Sequence, residues 1–326
     1  MARSFTSTMA IPRSSSASSC RRSEFRPVTQ MTHSSSNRLP VAVACHANIL
    51  VGEASIEALP GALDAIVEHG YSHVVLPPLD PAGTDAAALG RLINERGLNP
   101  ITMAGGLSAR ADVGSADGEV RKAGAALLRA AVDFTVQVGG TQMNGVPYGV
   151  FGRPAAPTDP DAFSRSARGV GAIADYANER GITMTFEVLN RYETSVINTA
   201  EQAVDFVRQS ESEHLRIHLD TFHMAIEEAD MFAAIRLALP LLGYLELGQS
   251  GRGLLSTGVV DVAGIVRFAV ESGYSGIFGI EAFSRSILPA GASDMLAIWR
   301  APYLSGAELA ADAARVIQRG FDLSRG

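Results

Sequence analysis

Four short apolar runs in the second half of the chain each carry an acidic residue near their end. They read ITMTFEVLN (residues 182–190), LRIHLDTFH (215–223), LLGYLELGQ (241–249) and GIFGIEAF (276–283). Such runs, recurring at roughly 30-residue intervals with helical segments between them, are typical of βα units in a parallel barrel. The C-terminal strand ends of such a barrel face one mouth. The pattern therefore predicts that Glu187, Asp220, Glu246 and Glu281 meet there.

Four carboxylates at one mouth would repel one another unless a cation lies among them. A divalent metal is the simplest such cation, and oxygen ligands favour Mg, Mn or Co over Cu or structural Zn. We therefore predict that Glu187, Asp220, Glu246 and Glu281 are metal ligands. A salt bridge is a fair alternative for one acid alone, but not for four consecutive strand ends.

The same alternation extends over most of the chain and predicts the fold class. Glycine after a charged helical turn marks a helix end before each new apolar run, as at Gly70, Gly97, Gly139, Gly181 and Gly273. Eight strands are predicted, at 41–45, 73–76, 100–103, 141–144, 182–187, 215–220, 244–247 and 277–281. Helices are predicted at 56–69, 86–96, 119–138, 162–180, 200–209, 231–239 and 262–271, with an eighth after Ser305. This pattern predicts an α/β protein with a single (β/α)8 TIM barrel over residues 39–326.

The first 38 residues are rich in Ser and Arg and lack an apolar run, so we predict a disordered N-terminal extension. They are either similar to an organellar transit peptide or an extension ahead of a start at Met31.

Composition narrows the range of partners. The net charge of -7 and pI near 5.5 argue against nucleic acid and anionic membrane surfaces. No apolar run approaches the length of a membrane helix. The only cysteines, Cys20 and Cys45, provide no disulfide framework, which favours the cytoplasm.

Three further polar residues lie near the strand ends. His223 follows Asp220 by three residues and is a candidate metal ligand, substrate donor or helix cap. Arg252 lies in the glycine-rich segment GQSGRG and either binds a substrate oxygen or is solvated. Glu193 either anchors a substrate hydroxyl or is a surface acid.

Several motifs carry a family resemblance. EVLNRYE (187–193), LDTFHMAIEE (219–228), the spacing of Gly248 and Arg252, and IEAF (280–283) resemble the xylose-isomerase-like sugar isomerases and epimerases. The segment GLSARADVGSADGEVRKAG (106–124) is similar to the loop and helix after strand 3 of the ketose 3-epimerases in that superfamily.

The resemblance implies a sugar epimerase that uses Mn2+, with Co2+ or Mg2+ as alternatives, and works as a homo-oligomer. It implies that Glu187, Asp220, Glu246 and Glu281 hold the metal. Glu187 and Glu281 would exchange the proton at C3 of a ketose from opposite faces. The implied substrate contacts are Glu193, His223, Arg252, Gly106, Gly145, Val146, Phe151 and Phe283.

The chain departs from the family in the seventh strand. There YLELGQSGR places Tyr244 and Glu246 where the family has histidines. The change adds a fourth acid around one cation and weakens it as a Lewis acid. Two other functions therefore stay open: a lyase of the same superfamily, acting on a keto-inositol or a C-glycoside, and a non-catalytic sugar-binding barrel.

Overall fold

Eight parallel strands close into a barrel in the computed structural model, which describes residues 38–326. The strands are β1 Val43–His46, β2 His73–Val75, β3 Asn99–Ala104, β4 Gln142–Gly145, β5 Thr183–Val188, β6 Leu215–Asp220, β7 Leu242–Gly248 and β8 Ile277–Glu281. Each strand pairs with its sequence neighbours, and β8 pairs with β1. The predicted (β/α)8 barrel is thereby confirmed. The predicted disordered N-terminal extension lies, apart from Arg38, outside the described residues.

Helices connect the strands on the outside of the barrel. They are α1 Leu59–Glu68, α2 Ala86–Asn94, α3 Gly118–Val138, α4 Pro160–Asn178, α5 Ala200–Ser210, α6 Thr221–Glu227, α7 Met231–Ala238, α8 Val262–Glu271, α9 Ala290–Met295 and α10 Gly306–Leu323. Side-chain caps fix several helix starts. Thr199 and Gln202 form a capping box at α5, because each side chain accepts a hydrogen bond from the other residue's backbone.

The five glycines predicted to end helices all have positive φ, from 71° at Gly97 to 87° at Gly273. This is the left-handed conformation that terminates a helix, so the predicted joints are confirmed. Two short helices are not predicted by the sequence pattern, α6 and α9. Helix α6 begins directly after β6 because the Asp220 side chain accepts a hydrogen bond from the backbone N–H of Phe222.

A one-residue irregularity in β7 determines which side chains enter the barrel. Ile217 pairs with Leu242, but the next residue, His218, pairs with Tyr244, so Gly243 is an extra residue. The shift changes the phase of β7. Leu242 packs in the large core between sheet and helices, whereas Tyr244 packs in a separate small cluster with residues of β1, β2 and β3. The residue two positions further on, Glu246, pairs with Asp220.

None of the helices within residues 38–326 is both long enough and apolar enough to cross a membrane.

Candidate active site

The four predicted acids lie on four consecutive strands. Glu187 is in β5, Asp220 ends β6, Glu246 is in β7 and Glu281 ends β8. All four are buried, and the most exposed of them, Glu281, retains 6% of its accessible surface. Burial of a carboxylate is costly without a counter-charge or a proton. The positively charged groups near each acid therefore help to determine its pKa and its protonation state.

Arg252 provides positive charge for two of the acids. Its Nη1 lies 3.2 Å from Asp220 Oδ2 and 2.5 Å from Glu281 Oε2. Arg252 is 8% exposed, and its guanidinium stacks on the Phe222 ring at 3.6 Å, with the Phe283 ring at 5.0 Å. Arg252 has φ 54°, a left-handed conformation that is uncommon outside glycine. The structure therefore places Arg252 inside the mouth and not on a solvated surface.

The strand-end acids are poised to titrate near neutral pH. Burial raises the pKa of Asp220 to about 7, although Arg252 opposes the shift. Burial also raises the pKa of Glu281 to about 7 against the same guanidinium. The pKa of Glu187 is raised by burial too, with the charge of His218 opposing. Carboxyl groups with a pKa near 7, as in Asp220 and Glu281, can both accept and release a proton under physiological conditions.

His223, on α6, faces the acids with one ring nitrogen and the protein with the other. Nδ1 accepts hydrogen bonds from the backbone N–H and the side-chain amide of Asn190, at 3.1 and 2.8 Å. Nε2 lies 3.4 Å from Glu187 Oε1, 3.5 Å from Asp220 Oδ2 and 3.4 Å from Arg252 Nη2. Burial lowers the pKa of His223 to about 4. The ring is therefore neutral at pH 7 and carries its proton on Nε2, where it can donate to a ligand.

Glu193 belongs to the same network. Its Oε1 accepts a hydrogen bond from the Asn190 side-chain amide at 2.9 Å, and this amide also contacts His223. Glu193 is half-buried and lines the cavity at the mouth. The structure thus places Glu193 at the site and not in a distant surface loop.

Glu246 lies between two histidines. Its Oε1 is 3.0 Å from His46 Nε2, and its Oε2 is 3.1 Å from His218 Nε2. His46 Nδ1 is also 3.7 Å from Glu281 Oε1. These separations are short enough for ion pairs, but the groups are poorly aligned, and both oxygens of Glu246 and both nitrogens of His218 lack a hydrogen bond. All three side chains are at most 1% exposed.

The histidines compensate for the charge of Glu246. Burial alone would raise the pKa of Glu246, but His46 and His218 hold it well below its usual value. Burial alone would lower the pKa of His46, but Glu246 raises it to about 9. The pKa of His218 is raised in the same way, by Glu187 and Glu246. Glu246 is therefore ionised, and both histidines hold a proton more tightly beside it than they would alone.

Neither His46 nor His218 is among the site residues predicted from the sequence. A histidine in an apolar strand is easily taken for a core residue, and His46 follows the apolar run VAVAC. His218 left a signal, because it precedes Asp220 by two residues in a strand and so shares its face. His46 left the same signal as the acids, because it ends the apolar strand β1, and its partners lie on β7 and β8.

Two of the acids, Glu187 and Glu281, border a cavity of about 530 Å³, within the range of roughly 300–1,000 Å³ that is usual for small-molecule sites. Nine of the predicted site residues line it: Gly106, Val146, Phe151, Glu187, Glu193, His223, Arg252, Glu281 and Phe283. Three do not line it: Gly145, Asp220 and Glu246. Gly145 has φ 110°, and a Cβ there would strike the backbone of Ala104 on β3, so the close pairing of β3 and β4 requires a glycine at this position.

Three buried clusters among residues 38–326 could each hold a metal ion, because their ligand atoms lie within 4.8 Å of one another. They are Glu187–Asp220–His223, Glu187–His218–Glu246 and His46–Glu246–Glu281. The four predicted acids do not form one of these clusters, since Glu246 and Asp220 belong to different ones. Carboxylate oxygens and imidazole nitrogens suit Mn, Co, Fe or Zn. The unpaired buried atoms of His218 and Glu246 fit the same class of ion.

Space around Glu246 depends on a glycine. Gly279 on β8 pairs with Glu246 on β7. A Cβ at this position would collide with the hydroxyl of Tyr244 and with Oε1 of Glu246. The glycine thus leaves the carboxylate room inside the barrel.

The family of xylose isomerase-like TIM barrels matches residues 63–317, and the chain belongs to this family. The resemblance seen in the motifs is thereby confirmed. Sugar epimerases are among the relatives. A ketose 3-epimerase of Arthrobacter globiformis is 36% identical over 276 residues, which cover 85% of this chain and 95% of the relative. An L-ribulose 3-epimerase of Mesorhizobium japonicum is 34% identical over 258 residues, covering 79% and 86%.

Solved structures agree with these relatives. D-allulose 3-epimerase from Methylomonas sp., in complex with D-allulose, superposes with a TM-score of 0.81 at 32% identity. The match covers 86% of this chain and 98% of that chain. The prediction of an isomerase-class enzyme is confirmed by this kinship.

Proposed function

We propose that this chain is a divalent-metal-dependent ketose 3-epimerase that acts on an unphosphorylated ketose. The observation that carries the proposal is that Glu187 and Glu281, on different strands, both line one cavity and both have a raised pKa. Two such carboxyl groups are what proton exchange at one carbon from two faces needs.

In the proposed reaction one glutamate, as a carboxylate, removes the proton from C3 and leaves an enediolate. The other glutamate, protonated, delivers a proton to the opposite face of C3. The first then carries a proton and the second is ionised, so solvent exchange or a turnover in reverse restores the starting state. Burial favours the protonated form of both groups, which makes each able to hold the proton between steps.

A bound divalent cation would polarise the carbonyl and the neighbouring hydroxyl and stabilise the negative charge that develops on them. Glu187 would hold it, together with Asp220 and His223 or with His218 and Glu246.

The remaining cavity residues support sugar binding. His223 Nε2–H and the Arg252 guanidinium offer donors to hydroxyl or carbonyl oxygens, and Glu193 offers an acceptor. Val146, Phe151 and Phe283 provide apolar walls for the carbon skeleton. Such a combination of a few polar groups and apolar walls is usual for small-molecule pockets.

Proton exchange followed by NMR in D2O tests the proposal. Mn2+-loaded and chelator-treated protein would be incubated with L-ribulose, D-allulose and D-fructose. We expect deuterium at C3, together with the C3 epimer, only in the presence of metal. Glu187→Gln and Glu281→Gln should each lower turnover by roughly 100-fold or more, whereas the exposed Glu213→Gln should not change it.

Three results would contradict the proposal. Exchange at another carbon indicates a different isomerase. Loss of a substituent from a 3-keto glycoside without exchange in the free ketoses indicates a lyase. Sugar binding without exchange in any substrate indicates a binding protein.

Three finer assignments rest on the family resemblance and on composition. We propose Mn2+ as the ion, a homo-oligomer (dimer or tetramer) as the assembly and the cytoplasm as the location. Metal analysis of protein purified without added metal, sedimentation velocity and fractionation of the source cells test them separately.

A further inference from the structure

The seventh strand carries Glu246 where the family resemblance leads us to expect an imidazole ligand. The neighbouring strand β6 carries an imidazole instead. His218 pairs with Glu187 on β5 and with Tyr244 on β7. Because paired residues of parallel strands project to the same side of a sheet, His218 enters the barrel beside Glu187. One ligand atom from each of Glu187, His218 and Glu246 lies within 4.8 Å of the other two.

The polar atoms of His218 and Glu246 lack aligned hydrogen bonds. Glu246 Oε2 lies 3.1 Å from His218 Nε2, and Oε1 lies 3.0 Å from His46 Nε2. These contacts are not aligned hydrogen bonds, so both ring nitrogens of His218 and both oxygens of Glu246 are left without one, and both side chains are fully buried. Native proteins leave few buried polar groups unpaired, and a group without a protein partner commonly faces a water molecule or an ion. An ion that accepts both nitrogen and oxygen ligands would satisfy His218 and Glu246 together.

The outer cluster of Glu187, Asp220 and His223 already has a positive charge beside it. Arg252 Nη1 contacts Asp220 at 3.2 Å, and Nη2 lies 3.4 Å from the Nε2 of His223. A divalent ion there would be repelled at short range by the guanidinium, which cannot lose its proton. The histidines beside Glu246, in contrast, can release their protons when a metal binds. His223 also has its Nδ1 engaged by Asn190. The outer cluster is therefore the less favourable place for an ion.

The third cluster contains His46, Glu246 and Glu281. Glu281 is engaged by Arg252 Nη1 at 2.5 Å, so its carboxylate is already paired with a cation. His46 lies 3.7 Å from that carboxylate, and it has one ring nitrogen without a partner where His218 has two. Of the three histidines in these clusters, His218 is thus the one with both ring nitrogens free of hydrogen bonds.

We propose that the metal of this chain is bound by Glu187, His218 and Glu246, and that His218 is the imidazole ligand. The ligand nitrogen has thereby moved from the seventh strand to the sixth. The assignment rests on the proposed metal-dependent function, but its test requires no substrate.

Electron spin echo envelope modulation of Mn2+ bound to the full chain detects a directly bonded nitrogen. We expect nitrogen modulation in the wild-type protein and its loss in His218→Gln. The Mn2+ dissociation constant, from titration followed by the signal of free Mn2+, should rise at least tenfold in His218→Gln. Loss of residues that only support ligands already costs roughly 10- to 100-fold. His46→Gln, His223→Gln and the exposed His214→Gln should keep the modulation.

A double variant, His46→Gln with His223→Gln, keeps the proposal open to refutation even if His218→Gln does not fold. His218 is then the remaining histidine of the three clusters, and the nitrogen modulation should persist. Its loss in the double variant, its survival in a folded His218→Gln, or its absence from the wild-type protein overturns the proposal.

The outcome is separable from that of the proposed function. Nitrogen modulation from His218 without proton exchange at C3 leaves the metal site standing and refutes the epimerase. Metal-dependent exchange at C3 without nitrogen modulation supports the epimerase and refutes His218 as a metal ligand.

Discussion

Arg252 Nη1 lies 2.5 Å from Glu281 Oε2, so the loop after β7 places a permanent cation against the acid at the end of β8. The same nitrogen is 3.2 Å from Asp220. The guanidinium lowers the pKa of both acids, against the stronger effect of burial. Removal of this charge should therefore change stability in a way that depends on pH.

We predict that Arg252→Met lowers the free energy of unfolding by about 3–5 kcal/mol at pH 8.5, because it leaves two buried carboxylates without their partner. At pH 5 the loss should be smaller, since Asp220 and Glu281 are then protonated and need no cation. Urea denaturation of chelator-treated protein at both pH values measures the difference.

The exposed Arg168 on α4 provides a control, because Arg168→Met removes the same charge outside the site. An equal loss of stability at pH 5 and pH 8.5 in Arg252→Met would show that packing against Phe222, and not charge, is what the side chain contributes.

The sequence predicts where the acids of the site lie, but it does not predict which positively charged side chains lie beside them. Glu187, Asp220 and Glu281 can be placed because each stands at the end of an apolar run, and a parallel barrel gathers strand ends at one mouth. The position of Glu246 also depends on Gly243, whose extra place in β7 rotates the following residues inward. Such an irregularity leaves no mark in the hydrophobic pattern.

The contacts of His46 and Arg252 are examples of what sequence periodicity cannot show. His46 contacts Glu246, 200 positions away in the chain, only because β1 and β7 both flank β8. Arg252 turns into the mouth because its backbone adopts a left-handed conformation. Both depend on closure of the barrel and on loop geometry, which local pattern does not determine.

We predict that chelator-treated protein loses stability as the pH rises from about 6.5 to 9. The pKa of His46 rises from 6.5 to about 9 on folding, so the folded protein holds a proton in this range that the unfolded chain releases. Stability gained from that proton is complete below pH 6.5 and is lost as the pH passes 9. At about 1.4 kcal/mol per pKa unit, the loss is roughly 3 kcal/mol.

Asp220 and Glu281 also make the protein less stable as the pH rises, up to about pH 7, because their pKa values are raised on folding. Urea denaturation at half-unit pH steps measures the slope. In His46→Gln the slope above pH 7 should flatten, while the exposed His214→Gln should keep it. An unchanged slope in His46→Gln would mean that His46 does not hold the proton.

We predict that Mn2+ stabilises the protein by simple linkage. At a free concentration of 100 times its dissociation constant, the ion should raise the free energy of unfolding by about 2.7 kcal/mol. Denaturant unfolding with and without Mn2+, at constant ionic strength, measures the change. Glu246→Gln should remove most of it, since it takes away a charged ligand, whereas the exposed Glu213→Gln should retain it. Equal stabilisation in both variants would exclude Glu246 as a ligand.

Gly279→Ala tests whether space around Glu246 matters. The added Cβ would collide with the hydroxyl of Tyr244 and with Oε1 of Glu246, so one of these buried groups must move. Overpacking of this kind costs about 1–3 kcal/mol of stability, and displacement of Glu246 should also weaken Mn2+ binding. Gly291→Ala on α9, where a Cβ meets nothing within 4 Å, is the matched control and should change neither quantity. Stability measured by urea denaturation and affinity measured by Mn2+ titration separate the two effects. If Gly279→Ala binds Mn2+ as tightly as the wild-type protein while losing stability, Tyr244 yields to the methyl group and Glu246 keeps its place.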